Sequence, residues 1–137
     1  MASNSESGRH TEILISPDFD NDELTNLFNE SWPEGTLRDF SITHQHSLAY
    51  LIASEDKKII GYLNIPHDGA YHAFIVDLTV HPNFRRRGVA LLLLDHAVTV
   101  CRNKKYHWAH LDFKEELSPL YEKAGFQLST AGLLNLN

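Results

Sequence analysis

Apolar and polar positions along the chain follow two periods, and the changes between them mark out the elements. Residues 12–16 alternate and Pro17-Asp18 ends the run, which predicts a short first strand. Leu24, Leu27 and Phe28 then share one face of a helix that Asp18 or Asp20 would cap and that runs to about residue 29. Ser31-Trp32-Pro33-Glu34-Gly35 breaks the pattern, and a weaker helix is expected over 36–44. Residues 48–54 and 58–65 read as the two strands of a hairpin joined through Glu55-Asp56-Lys57. After the turn Pro66-His67-Asp68-Gly69 comes a strand over 71–80, almost wholly apolar from Ala73 onward, as a strand covered on both faces is. His81-Pro82 stops it, because proline has no N–H for the ladder. The longest helix is predicted over 88–103, apolar on more than one side through Val89, Leu92, Leu93, Ala97 and Val100. Residues 108–113 alternate again, with Trp108, His110 and Asp112 on one face. Ser118-Pro119 opens a short helix that carries Tyr121 and ends at Gly125, and 126–128 and 133–136 supply one or two final strands.

Between the apolar strand and the long helix lies Arg85-Arg86-Arg87-Gly88-Val89-Ala90. It brings three cations to a helix N-terminus, which carries about half a positive charge and up to four unpaired donors. Such a turn suits a phosphate group. Gly88 lets the backbone approach a ligand closely, and small Ala90 keeps the second approach open. Charge alone would favour a solvated basic turn; Gly88, Ala90 and the strand–helix setting favour an anion site.

These residues carry a family resemblance. Arg85, Gly88 and Ala90 fill the defining positions of the pattern Arg/Gln-x-x-Gly-x-Gly/Ala, behind a strand ending Val80-His81-Pro82. The pattern resembles the acetyl-CoA signature of the GNAT superfamily of acyl-CoA N-acetyltransferases. Leu120-Tyr121-Glu122-Lys123-Ala124-Gly125-Phe126 is similar to a later block of the same family, and the interval between the two fits one helix and one strand. The resemblance is sharp over 73–126. It implies an α/β fold, a mixed sheet of six to seven strands flanked by about four helices, with two central strands splayed to admit the co-substrate.

The resemblance also implies roles. Acetyl-CoA would place its pyrophosphate on Arg85, Arg86, Arg87, Gly88, Val89 and Ala90. Its pantetheine arm would pair with the backbone of Leu78, Thr79 and Val80 like an added strand. Tyr121 would contact the co-substrate and act as the acid for the departing thiolate, which a phenol of pKa about 10 can do. Many relatives carry a base glutamate on the strand before the basic turn; here Phe74 stands near that place. Asp77, His110 and Asp112 are the side chains that could take a proton through water, and water or the acceptor's own equilibrium could serve instead. Lys114 stands where many relatives carry asparagine, which removes a usual contact from that loop.

Composition narrows the remaining classes. With 137 residues the chain holds one domain, read as 11–137 behind a loose polar tail over 1–10. No apolar run approaches the roughly 20 residues that span a bilayer. One cysteine excludes an intramolecular disulfide framework and suits a reducing cytoplasm. A formal charge of −6 argues against nucleic acid and mildly favours cationic acceptors. Nine histidines invite a metal reading, but no pair is spaced convincingly on a helix, and His44, His46, His107 and His110 read as surface or turn residues. The expectation is therefore an N-acetyltransferase acting on a primary amine of a small molecule or protein. Its acceptor site would be built around residues 28–40, with Trp32, and around the outer parts of the 71–80 and 108–113 strands. The rivals are an acetyl-CoA sensor without turnover and a ligand-free scaffold. A homodimer paired through a C-terminal strand is a further expectation from the family.

Overall fold

In the computed structural model the described residues are 10–137, so all of the expected tail but His10 lies outside them. The strands are β1 (Glu12–Ile15), β2 (Ser47–Glu55), β3 (Lys58–Pro66), β4 (His72–Phe74), β5 (Val76–Val80) and β6 (Trp108–His110). The helices are α1 (Asn21–Ser31), α2 (Phe40–His44), α3 (Val89–Asn103) and α4 (Ser118–Lys123), with 3-10 turns at Pro82–Phe84 and Glu115–Leu117. Local chemistry sets several boundaries. Asp20 caps α1, its Oδ1 accepting the Asp22 N–H at 2.8 Å. Asp39 caps α2, accepting from the Ser41 N–H at 3.0 Å, so that helix starts at Phe40 rather than at the expected residue 36. Asp56 and Lys57 both have positive φ, which matches the twist of the β2–β3 hairpin.

Strands β1, β2, β3 and β5 form an antiparallel sheet in that order, while β4 and β6 pair in parallel. A single bridge between His67 and Ala73 ties the two sheets together. Alternation along β2 and β3 sends Ile52 and Tyr62 toward α1 and α2, into a core with Leu24, Phe28 and Phe40. Leu51, Leu63 and Ile65 point to the other face, where Leu93, Leu94 and Ala97 of α3 cover them. Gly61 permits that approach: a Cβ there would meet Leu93 Cδ1, Ala53 Cβ and the Thr79 carbonyl, each at 3.2 Å. Among the described residues no helix is long and apolar enough to cross a membrane.

Four expectations are corrected. The strand over 71–80 is two strands, because β4 belongs to β6 and β5 to β3. Within β5 the register to β3 slips between Tyr62↔Thr79 and Asn64↔Val76. Asp77 and Leu78 together oppose Leu63, a bulge whose first residue, Asp77, has φ 58°. The strand over 108–113 stops at His110, where the chain leaves β4. Residues 126–137 form no strand, and Leu133, Leu134 and Leu136 are more than 80% exposed. Ser118 does not cap α4 but lies inside it, its hydroxyl donating to the Glu115 carbonyl at 2.7 Å.

Candidate active site

The cleft follows from the divided strand. The Ile75 N–H donates to the His110 carbonyl at 2.8 Å, at the end of the β4–β6 ladder. Beyond that vertex β5 stays with β3 while the chain from Leu111 departs, so no strand among the described residues pairs with the other edge of β5. The His81 N–H reaches the Ile60 carbonyl at 2.8 Å. Antiparallel alternation therefore turns the backbone groups of Val80 and Leu78 to the open edge and those of Thr79 to β3. Of the three backbone positions expected to pair with an extended ligand, two face the cleft and Thr79 belongs to the sheet.

The basic turn lies at the end of this edge. Gly88 is the N-cap of α3 with φ 80°, it offers no side-chain cap, and the first turn has no acidic residue. A Cβ at Gly88 would meet nothing within 4 Å, so the space before the helix is open. The first-turn donors thus have no side-chain acceptor on the helix itself. The three arginines divide their work. Arg85 Nε donates to the Val80 carbonyl at 3.0 Å, and its Nη2 to the Ser31 carbonyl at 3.3 Å, joining the turn to the end of α1. Arg87 pairs with Glu55 at 3.1 Å and lies over the Phe84 ring. Arg86, at φ 66°, makes no hydrogen bond or ion pair among the described residues. Open donors beside a free guanidinium and an unpaired strand edge fit a diphosphate carrying an extended amide arm.

Tyr121 sits in the first turns of α4, 6% exposed, with its ring 4.4 Å from that of Phe113. Its hydroxyl makes no hydrogen bond among the described residues. Burial pushes the phenol pKa above its ordinary value, and the Asp112 carboxylate adds to the shift. The group therefore keeps its proton at neutral pH and remains a donor.

The other face of the sheet carries groups the sequence only partly signals. Asp77 accepts from Arg38 Nη1 at 2.6 Å, and Arg38 lies over the rings of Phe28 and Phe40. The carboxylate is thus committed to this cation. Trp32 Nε1 donates to Thr79 Oγ1 at 3.0 Å. His81 accepts the Asn83 N–H on Nδ1 at 3.1 Å, so its Nε2 carries the hydrogen toward Glu30 Oε1 at 2.6 Å. Together with Arg85–Ser31, these contacts fix the end of α1 against β5. His110 Nε2 lies 2.7 Å from His72 Nδ1, and its ring stacks on Phe74 at 4.8 Å. Asp112 is exposed beyond the end of β6.

Sequence reasoning passed over Arg38 and His72: a lone arginine in a weak segment and a histidine at a strand start carry no pattern, and only register places them. His44, expected at the surface or in a turn, lies half-buried at the end of α2. That ring stacks on Tyr50 at 3.5 Å, its Nε2 is 2.7 Å from the Tyr62 hydroxyl, and burial, aided by Arg38, depresses its pKa to about 4. Among the described residues no three His, Cys, Asp or Glu side chains gather where a metal ion could sit.

Known proteins share this fold. The profile of the Acetyltransferase (GNAT) family matches residues 17–126. Mycothiol acetyltransferase of Mycobacterium ulcerans is 32% identical over 77 residues, which is 56% of this chain and 24% of that protein. The chain thus spans about a quarter of the length of such relatives. A GNAT family acetyltransferase from Streptococcus pneumoniae superposes with a TM-score of 0.77 at 20% identity, covering 93% of this chain and 98% of that one. An acetyltransferase from Trypanosoma brucei gives a TM-score of 0.78 at 19% identity over 93% of this chain and 100% of its own. The aminoglycoside N-acetyltransferase AAC(6')-Iy, solved with CoA, gives 0.73 at 20% identity over 93% and 95%. With the profile covering 110 of the 137 residues (17 through 126), the chain belongs to the Acetyltransferase (GNAT) family.

Proposed function

We propose that this chain transfers an acetyl group from acetyl-CoA to a primary amine of a small molecule or protein. The observation that carries the reading is the uncapped N-terminus of α3 at Gly88, beside Arg86, which has no partner among the described residues, at the end of the open edge of β5. In this reading the N–H groups of the turn and Arg86 hold the pyrophosphate. Val80 and Leu78 hold the pantetheine arm along β5, which sets the thioester at the vertex by Ile75 and His110. The amine nitrogen attacks the thioester carbon, the carbon–sulfur bond breaks, and Tyr121 gives its proton to the departing sulfur. The amine's own proton leaves to water or to a side chain at the vertex. Arg38 already holds Asp77, which leaves His110 and Asp112 as the candidates for this step.

Thiol release from acetyl-CoA with and without primary amines tests the reading. Release that depends on the amine and yields one acetylated product per thiol is expected. A protein that binds acetyl-CoA but releases no thiol with any amine would be a sensor instead.

A further inference from the structure

Two histidines on the β4–β6 pair meet ring to ring. Parallel pairing sets His72 beside Trp108 and Phe74 beside His110, so His72 and His110 are diagonal neighbours on one face, with Ala73 turned to the core. His72 Nδ1 lies 2.7 Å from His110 Nε2. That distance requires one hydrogen between the nitrogens, since two hydrogens would collide and none would set lone pair against lone pair. Phe74 stacks on His110 at 4.8 Å and holds its ring beside the vertex. The outer nitrogens, His72 Nε2 and His110 Nδ1, have no partner among the described residues. Neither is buried, as the unpartnered Ser31 Oγ and His44 Nδ1 are. A proton can therefore enter the pair at one end and leave at the other.

The surrounding charges give the pair a direction. Asp68, held below the ordinary carboxylate range chiefly by the Ala70 and His72 N–H groups, also feels the charge of the His72 ring. At the other end, exposed Arg102 of α3 lines the same groove as Phe74, Trp108 and His110. Both charges draw a positive charge from His110 toward His72. Asp112 follows His110 in the chain, and its charge is felt at Tyr121, where it adds to the effect of burial, on the acid's side of the site. Of the other titratable groups nearby, His67 is taken by Tyr106, His107 lies against Tyr71 and Asp77 is paired with Arg38.

Resting on the acetyltransferase reading, we propose that His72 and His110 form a two-ring relay that takes the proton of the attacking amine and delivers it to solvent beside Asp68. The amine's N–H bond breaks as a bond forms at His110 Nδ1. The hydrogen between the rings passes from His110 Nε2 to His72 Nδ1, and His72 Nε2 gives its own hydrogen to water. One proton enters, one leaves, and the charge is carried away from the thioester. Water then restores the starting tautomers through the same outer nitrogens. His110 is the ring that meets the substrate, and His72 acts only through it.

The test uses the full chain with isotope-labelled histidine, free and saturated with CoA. In the wild type a scalar coupling between His72 Nδ1 and His110 Nε2 is expected, with ring resonances that move together as the pH falls. Thiol release from acetyl-CoA is then followed with whichever of methylamine, 2-phenylethylamine and spermidine reacts fastest. Asparagine sets an amide near the place of Nδ1, so it can orient His110 but cannot pass a proton on. His72→Asn is therefore expected to lower kcat about tenfold or more and to leave CoA affinity and the amine's KM unchanged. It should also move the acidic limb of the kcat profile to lower pH, because a proton on His110 is no longer shared. His110→Asn should lose at least as much, and the double variant no more than His110→Asn alone. Thiol release with rings that titrate independently, full kcat in His72→Asn, or losses that multiply in the double variant would overturn the relay and leave the acetyltransferase reading standing. Failure of CoA to bind, or CoA binding with no thiol release from any of the three amines, removes that reading and the relay with it.

Discussion

As the proposed acid, Tyr121 would hold a proton until sulfur needs it, and its hydroxyl has no hydrogen-bonding partner among the described residues. Burial and Asp112 both raise the phenol pKa, so activity that depends on the protonated form persists to a pH above the ordinary phenol value of 10.0. Tyr121→Phe is expected to lower kcat about 10²-fold with CoA affinity unchanged. Asp112→Asn should draw the alkaline limb of the kcat profile to lower pH. The arginines of the turn separate binding from structure. Arg86→Gln should weaken CoA binding by about 1–2 kcal/mol, because no described residue pairs with its charge. Arg87→Gln should change it less, since Glu55 already holds that cation at 3.1 Å; calorimetry at two salt concentrations compares them. His44 affects stability rather than turnover. Its folded pKa of about 4 lies below the ordinary 6.5, so the unfolded chain binds the proton first as pH falls. Stability contributed by neutral His44 is whole above pH 6.5 and drains away between there and about 4. Discounted for partial exposure, the loss is of order 1 kcal/mol. Denaturant unfolding across that range should show it, and His44→Phe should flatten the slope.

At the scale of elements, the bulge in β5 explains an aspartate in an otherwise apolar strand. Asp77 holds a left-handed φ of 58°, which aspartate tolerates and a β-branched residue does not, and its carboxylate anchors Arg38. Asp77→Asn should keep both fold and turnover, costing under about 1 kcal/mol for a part-exposed pair. Asp77→Val should cost about 2–3 kcal/mol through the backbone and the unpaired Arg38. A sharp fall in kcat for Asp77→Asn at unchanged stability would instead make Asp77 the base. The bulge was not legible in the sequence. An apolar run over 71–80 reads the same whether or not the chain changes neighbours at Ile75, because both halves bury one face. Some caps and turns were legible, since Asp20, Asp56 and Gly88 act through local chemistry, whereas Ser118, expected to cap α4, lies inside it. The final strands were overread for the converse reason: leucines at 133, 134 and 136 have strand character, but a strand needs an edge to join, and pairing is not a local property.

For the whole molecule, the division of one apolar strand between two sheets creates the candidate site. It leaves β5 with a free edge, places His110 and Phe74 at the vertex, and brings the uncapped α3 to the end of that edge. The turn, Tyr121 and the order of elements could be read from the sequence because each is carried by a contiguous motif. The contacts behind the candidate site could not, because Arg38 reaches Asp77, Trp32 reaches Thr79 and His72 reaches His110 only through long-range register. The central claim is that the Gly88 turn and the β5 edge together hold CoA. Calorimetric titration of CoA and acetyl-CoA into the wild type and into Gly88→Glu tests it most directly. Gly88→Glu forces a side chain onto a φ of 80° and sets a carboxylate before the helix. Micromolar binding in the wild type, lost in a variant that still unfolds cooperatively, is the predicted result. Absence of binding in the wild type, or equal affinity in both proteins, would contradict the account.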